Sequence, residues 1–151
     1  MIALPIPWNK SKGSTLSFAS TLYLYPILDL LLANIPSQWK AEIRLGLQEA
    51  LVNAARHGNK LDPNKTIVVE FNVTPTEYCW IIKDEGTGFE PQCSCHAIAE
   101  SLPLPAVEAE SGRGLCILHE VFDLVHWNKE GTQVTLAIQV NNRDRSQPMI
   151  L

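Results

Sequence analysis

The stretch from Gln48 to Asn59, Gln-Glu-Ala-Leu-Val-Asn-Ala-Ala-Arg-His-Gly-Asn, carries two helical patterns at once. On a helix turning by about 100° per residue, Glu49, Asn53 and His57 drift by only about 40° per step, so a carboxylate, a carboxamide and an imidazole share one side. Ile43, Leu47, Ala50, Leu51 and Ala54 fall on the neighbouring arc. That arc faces a core and leaves the polar stripe half sunk beside it. Gly46 lies along the stripe, where a missing side chain lets another group come close. Ser37 suits an N-cap and Gly58 a C-terminal stop, so the pattern predicts a helix from Gln38 to His57. Alone, such a stripe also fits an ordinary amphipathic helix with a polar outer face; the rest of the chain decides between the two.

The apolar arc needs a surface to pack on, and the sequence on either side supplies strands. Ser14 to Ser20 alternates Leu16 and Phe18 with Thr15, Ser17 and Ala19, and reads as a first strand. Tyr23 to Asn34 is helical in pattern, with Pro26 in a first turn and Leu28, Leu31 and Leu32 as a stripe, ended by Ile35-Pro36. Thr66 to Val73 puts Ile67, Val69, Phe71 and Val73 on one face and forms a hairpin with Tyr78 to Lys83 across Thr74-Pro75-Thr76. That second strand runs into Asp84-Glu85-Gly86-Thr87-Gly88-Phe89, where two glycines in three residues force a tight, backbone-exposed turn. Glu90 to Ser111 loses all periodicity and holds Pro91, Pro103 and Pro105, so a long loop with a short helix near Ala97 to Ser101 is expected. Ser111-Gly112-Arg113-Gly114-Leu115 then reads as a glycine loop feeding the N-terminus of a helix through Ile117, Leu118, Val121 and Phe122. Leu124 to Trp127 and Thr132 to Val140 make a last hairpin about Asn128-Lys129-Glu130-Gly131. The expected organisation is one domain over residues 14–140, an extension before it and a polar tail from Asn141.

Composition narrows the classes of function. A chain of 151 residues that is 46% hydrophobic builds one sizeable core. With 12 basic and 16 acidic residues the net charge is −4 and no basic block occurs, which argues against a nucleic-acid partner. Met1 to Gly13 has no charged-then-apolar signal pattern, and the Ile27 to Ile35 run is too short to span a bilayer, so a soluble, cytoplasmic protein with no membrane partner is expected. The four cysteines, Cys79, Cys93, Cys95 and Cys116, read as reduced thiols rather than a disulfide framework. Cys93, Cys95 and His96 match no usual zinc spacing.

Three features thus follow one another: a Glu-Asn helix, an aspartate at a strand end before Gly-x-Gly, and a glycine loop before a helix. A nucleotide would use all three. A strand-end carboxylate accepts a hydrogen bond from an exocyclic amine such as that of adenine, which assigns Asp84 as base reader. Backbone N–H groups of Gly112 to Leu115 suit phosphate oxygens, and Arg113 adds a fixed charge. The Asn53 carbonyl is a hard oxygen ligand for Mg²⁺, which prefers few protein ligands plus phosphates and water. Glu49, one turn earlier, is placed to take a proton from an incoming hydroxyl.

In this order the motifs resemble the ATP-binding domain of the GHKL superfamily, shared by gyrase, the heat-shock chaperone, histidine kinases and mismatch-repair ATPases, over about Ala41 to Val140. Within it, Glu-Ala-Leu-Val-Asn-Ala-Ala-Arg-His-Gly-Asn, the Asp-Glu-Gly-x-Gly-Phe box, the Gly-Arg-Gly-Leu box and the small size are most similar to the bacterial anti-sigma factor serine kinases. The resemblance implies a two-layer α/β sandwich of the Bergerat type, with helices on one face of a mixed, mostly antiparallel sheet. It implies ATP and Mg²⁺ as cofactors, Glu49 as general base, Asn53 as magnesium ligand, Asp84 as the adenine-binding aspartate, and Gly86, Gly88, Gly112 and Gly114 as nucleotide-loop glycines. His57, Phe89, Arg113 and Leu115 fall in the same boxes and are expected at the nucleotide, so His57 is not read as a phosphorylated histidine. With about forty residues ahead of the glutamate helix, a phosphoacceptor helix pair is not expected there. A protein partner is implied, an anti-sigma antagonist or a sigma factor, and a homodimer is left open because the family often dimerises. The expected activity is protein serine/threonine phosphorylation, with segment 90–111 ordering as a lid on nucleotide. An ATP-gated binding module without phosphotransfer and a stand-alone histidine-kinase-like catalytic domain are the other readings.

Overall fold

The computed structural model of the protein describes residues 13–88 and 106–143. Along them run β1 (Ser14–Ala19), α1 (Tyr25–Leu31), α2 (Ser37–Val52), a π-helical segment (Asn53–Gly58), β2 (Thr66–Val73), β3 (Glu77–Lys83), α3 (Ala106–Val121), β4 (Leu124–Trp127), β5 (Gln133–Gln139) and α4 (Val140–Arg143). The strands make one sheet in the order β1-β2-β3-β5-β4, and each neighbouring pair is antiparallel. The two-layer α/β sandwich is the expected one, but its sheet is antiparallel throughout the described residues rather than mixed.

Register fixes which side chains share a face. Val69 lies beside Ile82 and Ile82 beside Val134, while Phe71, Trp80 and Leu136 make the next row. These join Leu28 and Leu31 of α1, Ile43, Leu47 and Leu51 of α2, and Leu115 and Leu118 of α3 in one core. The helices therefore cover one face of the sheet, and the period-2 patterns of β2 and β5 point into it. Local chemistry sets the turns. Thr74 Oγ1 accepts the N–H groups of Thr76 and Glu77 to close the β2–β3 hairpin. Asn128 Oδ1 does the same for Thr132 and Gln133 ahead of β5.

Gly46 receives the group its place on the stripe called for. A Cβ there would lie 2.6 Å from Phe122 Cε2 and 2.9 Å from Val121 Cγ1, so α3 closes onto α2 at this residue. Ser37, expected as an N-cap, is instead the first helical residue; Pro36 precedes it in an extended conformation, and no side chain caps the end. At Asn53 the winding widens to i→i+5 bonds, the last of them from Asn59 N–H to Ala54 O at 2.8 Å. A 100° wheel therefore holds only as far as Asn53, and His57 is placed by the π segment instead. Lys60 (φ 56°) and Leu61 (φ 58°) then reverse the chain in the left-handed region.

The glycine loop expected at Gly112 to Leu115 is not a loop. Both glycines lie inside α3, which begins at Ala106, within the stretch read as unstructured. Each glycine weakens a helix by about 1 kcal/mol relative to alanine. That cost is smaller than the gain from burying Leu115, Leu118 and Val121, whose helical spacing carries the segment. The short helix expected at Ala97 to Ser101 falls outside the described residues, as does Phe89. Among the described residues no helix is long and apolar enough to cross a membrane. Cys116 is disulfide-bonded, against the expectation of reduced thiols throughout. Cys79 is free and buried on the outer face of β3, where burial and then the charge of Glu77 push its thiol up to about 11.

Candidate functional site

The end of α2, the π segment and α3 enclose a cavity of about 300 Å³. Glu49, Asn53, Arg56 and His57 line one side, Arg113 and Gly114 the other. The stripe on α2 thus does face an opening, and the widened winding keeps His57 and adds Arg56 to the same wall. Asn53 is 5% exposed, and its Nδ2 has no hydrogen-bond partner. A buried carboxamide with an unmet polar atom beside a cavity can serve a ligand without giving up a bond within the protein. The two ends of the amide are interchangeable by a flip, so that position can equally present the oxygen. A cation such as Mg²⁺ takes one or two protein ligands and completes its shell from phosphates and water, which fits a lone Asn53 oxygen.

Gly114 lies against the end of the Glu49 side chain. A Cβ at 114 would come within 2.8 Å of Glu49 Oε2 and 3.9 Å of Asn53 Nδ2. The glycine lets the half-buried carboxylate lie against α3, whereas sequence reasoning gave it a phosphate-cradling loop. The Leu115 side chain is 3% exposed and belongs to the core, which leaves its backbone as the part expected at the nucleotide. Arg113 is exposed on the cavity rim.

Asp84 stands at the other end of the π segment, off the cavity wall. Its backbone N–H donates to Thr132 O at 2.9 Å, and its Oδ1 accepts Gly86 N–H at 2.8 Å. Burial raises its pKa above the ordinary carboxylate value, against the lowering pull of the Gly86 bond and the Lys65 charge. Two glycines make room for it. A Cβ on Gly58 would overlap the Asp84 carboxylate, and one on Gly86 would strike Gly58 O. Gly88 has a φ of 89° and lies so close to Glu130 O that any Cβ would collide.

Residues 29–138 match the family described as histidine kinase-like ATPase domain. The chain belongs to that family. This histidine kinase-like ATPase domain is 26% identical over 104 residues to the anti-sigma F factors of Clostridium perfringens strains SM101 and ATCC 13124, covering 66% of this chain and 72% of theirs. Among solved structures it is similar to the mycobacterial sensor histidine kinase MprB, at 16% identity and a TM-score of 0.45, covering 91% of this chain and 99% of that one.

Sequence reasoning about this ATPase-family domain missed two things. Arg56 was passed over, although a basic residue beside His57 at the end of a polar stripe was a signal. Gly58 suits a helix stop by its place in the sequence, yet it is not in the left-handed conformation that such a cap uses. Its reason is the Asp84 carboxylate, which no local pattern announces.

Proposed function

We propose that the chain is an ATP- and Mg²⁺-dependent protein serine/threonine kinase of the anti-sigma factor type, a cytoplasmic regulator that binds a protein partner and phosphorylates it. The observation that carries this reading is the Glu49 carboxylate on the cavity wall beside Asn53, where the missing side chain of Gly114 lets it lie against α3. A module that only held nucleotide needs no base there. Similarity to proteins named anti-sigma F factor supports a sigma factor or its antagonist as the partner.

Each residue then has one task. Asp84 accepts the exocyclic amine of adenine, and Gly58, Gly86 and Gly88 leave room for backbone and carboxylate to approach. The Asn53 oxygen would hold Mg²⁺, which would offset phosphate charge. Arg56, His57 and Arg113 line the phosphate end. Glu49 takes the proton from the partner's hydroxyl as that oxygen attacks the γ-phosphorus, the bond from the γ-phosphorus to the bridging oxygen breaks and ADP leaves.

The test is capture of partners from the native cell, followed by incubation with γ-labelled ATP. Label on the partner that survives acid, as phosphoserine or phosphothreonine does, is the expected result. Acid-labile label would favour the histidine-kinase-like reading. Partner binding that responds to ATP without any transfer would make this a nucleotide-gated binding module.

A further inference from the structure

Asn59, directly after Gly58, is 0% exposed, and its carboxamide is fully used. Nδ2 donates to Ser20 Oγ at 2.6 Å and to Thr66 O at 3.0 Å, while Oδ1 accepts Glu85 N–H at 2.7 Å. Its backbone N–H closes the π segment on Ala54 O. Neighbouring bonds tie the same junction: Ser20 Oγ donates to Lys65 O, and Glu85 Oε2 accepts Thr66 N–H at 3.0 Å. One side chain therefore joins the end of β1, the π segment, the start of β2 and the turn that carries Asp84. The two left-handed residues that follow, Lys60 and Leu61, are conformations that persist only where their surroundings hold them.

Only one of these bonds reaches the site. Glu85 N–H is the next donor along the chain from Asp84, in a turn closed by Gly86 N–H on Asp84 Oδ1. We propose that Asn59 is a positioning residue for base recognition: it clamps the Asp84–Gly86 turn to the end of the π segment and thereby aims the Asp84 carboxylate. This rests on the reading of Asp84 as the acceptor for adenine's exocyclic amine. A residue that merely held the fold together would weaken all nucleotides alike. A positioning residue weakens only those that possess the amine.

The discriminating probe is purine riboside triphosphate, which is ATP without that amine. Affinities of both nucleotides with Mg²⁺ are measured by calorimetry for the full chain and for Asp84→Asn, Asn59→Ala and Ser20→Ala. Wild type prefers ATP, and Asp84→Asn erases the preference. Asn59→Ala lowers it by roughly 3- to 10-fold, the worth of one neutral hydrogen bond lost from the turn. Ser20→Ala keeps the preference while lowering the melting midpoint, because it loosens the scaffold and spares the Glu85 contact. A folded Asn59→Ala protein with the wild-type preference overturns the proposal while leaving Asp84 in place. No change in Asp84→Asn overturns the reading of the site and this proposal with it. If Asn59→Ala does not fold, the wild type decides through the Asn59 side-chain amide resonances: they shift more with ATP than with purine riboside triphosphate, and equal shifts overturn the proposal.

Discussion

At Asp84 stability and the proposed recognition of adenine pull in opposite directions. Its folded pKa is raised, chiefly by burial. The fold therefore favours the protonated form, so this group's contribution to stability is present below its ordinary value of 3.8 and is lost as pH rises through the folded pKa. At neutral pH the carboxylate costs stability. Asp84→Asn is thus expected to melt higher than wild type at pH 7, with the difference shrinking as the pH falls toward 4, while ATP binding weakens by about 1 to 3 kcal/mol. Melting curves at several pH values with parallel calorimetry check both signs; equal melting at pH 7 would mean that burial is not the main influence on this group. Glu49 and Asn53 divide differently. Asn53→Ala is expected to lose magnesium-dependent ATP binding, whereas Glu49→Gln keeps the shape, binds ATP nearly normally and transfers phosphate about 10²- to 10⁴-fold slower. Single-turnover assays against the captured partner separate these outcomes, and a wild-type rate in Glu49→Gln would remove it as the base.

Elements differ in how plainly their residues announce them. β2 and β5 were legible because each strand is buried on one side, so Ile67, Val69, Val134 and Leu136 repeat every second residue. α2 was legible to Val52 for the same reason at period 3.6. The π segment was not, because a wheel assumes constant winding and no residue type marks a switch to i→i+5. The start of α3 is masked because two glycines within three residues, Gly112 and Gly114, outweigh a core stripe that only begins at Leu115. Of the site, Glu49, Asn53, His57 and Asp84 stand out as chemistry-bearing types, but the side chains that Gly58 and Gly114 face, Asp84 and Glu49, lie far along the chain. Gly46 was read correctly as a close-approach point. Gly46→Ala is expected to cost about 1 to 3 kcal/mol by overpacking against Phe122 and Val121. In a domain of this length that is a fall of roughly 2 to 12 °C in melting midpoint; an unchanged midpoint would show that α3 can shift to admit the methyl.

Across the whole molecule the candidate site draws on α2, the π segment, the turn after β3 and α3, so a ligand bound there fastens helices to sheet. ATP with Mg²⁺ at about a hundred times its dissociation constant is expected to stabilise the folded chain by about 2.7 kcal/mol. That corresponds to a melting midpoint higher by roughly 5 to 11 °C, and the gain is expected to shrink when Mg²⁺ is chelated. A midpoint indifferent to ATP would count against nucleotide binding altogether. The close approaches that build the site also constrain how it can change by descent. The Asp84 carboxylate fills the space of a side chain at 58, and the Gly58 carbonyl fills that of a side chain at 86. While the aspartate is kept, a mutation at 58 or 86 meets a steric barrier; once it is lost to a smaller residue, position 58 is released to drift. In a lineage of such domains, a bulky residue where this chain has Gly58 would then be the lasting imprint of an abandoned adenine site, readable from sequence long after the binding itself had gone.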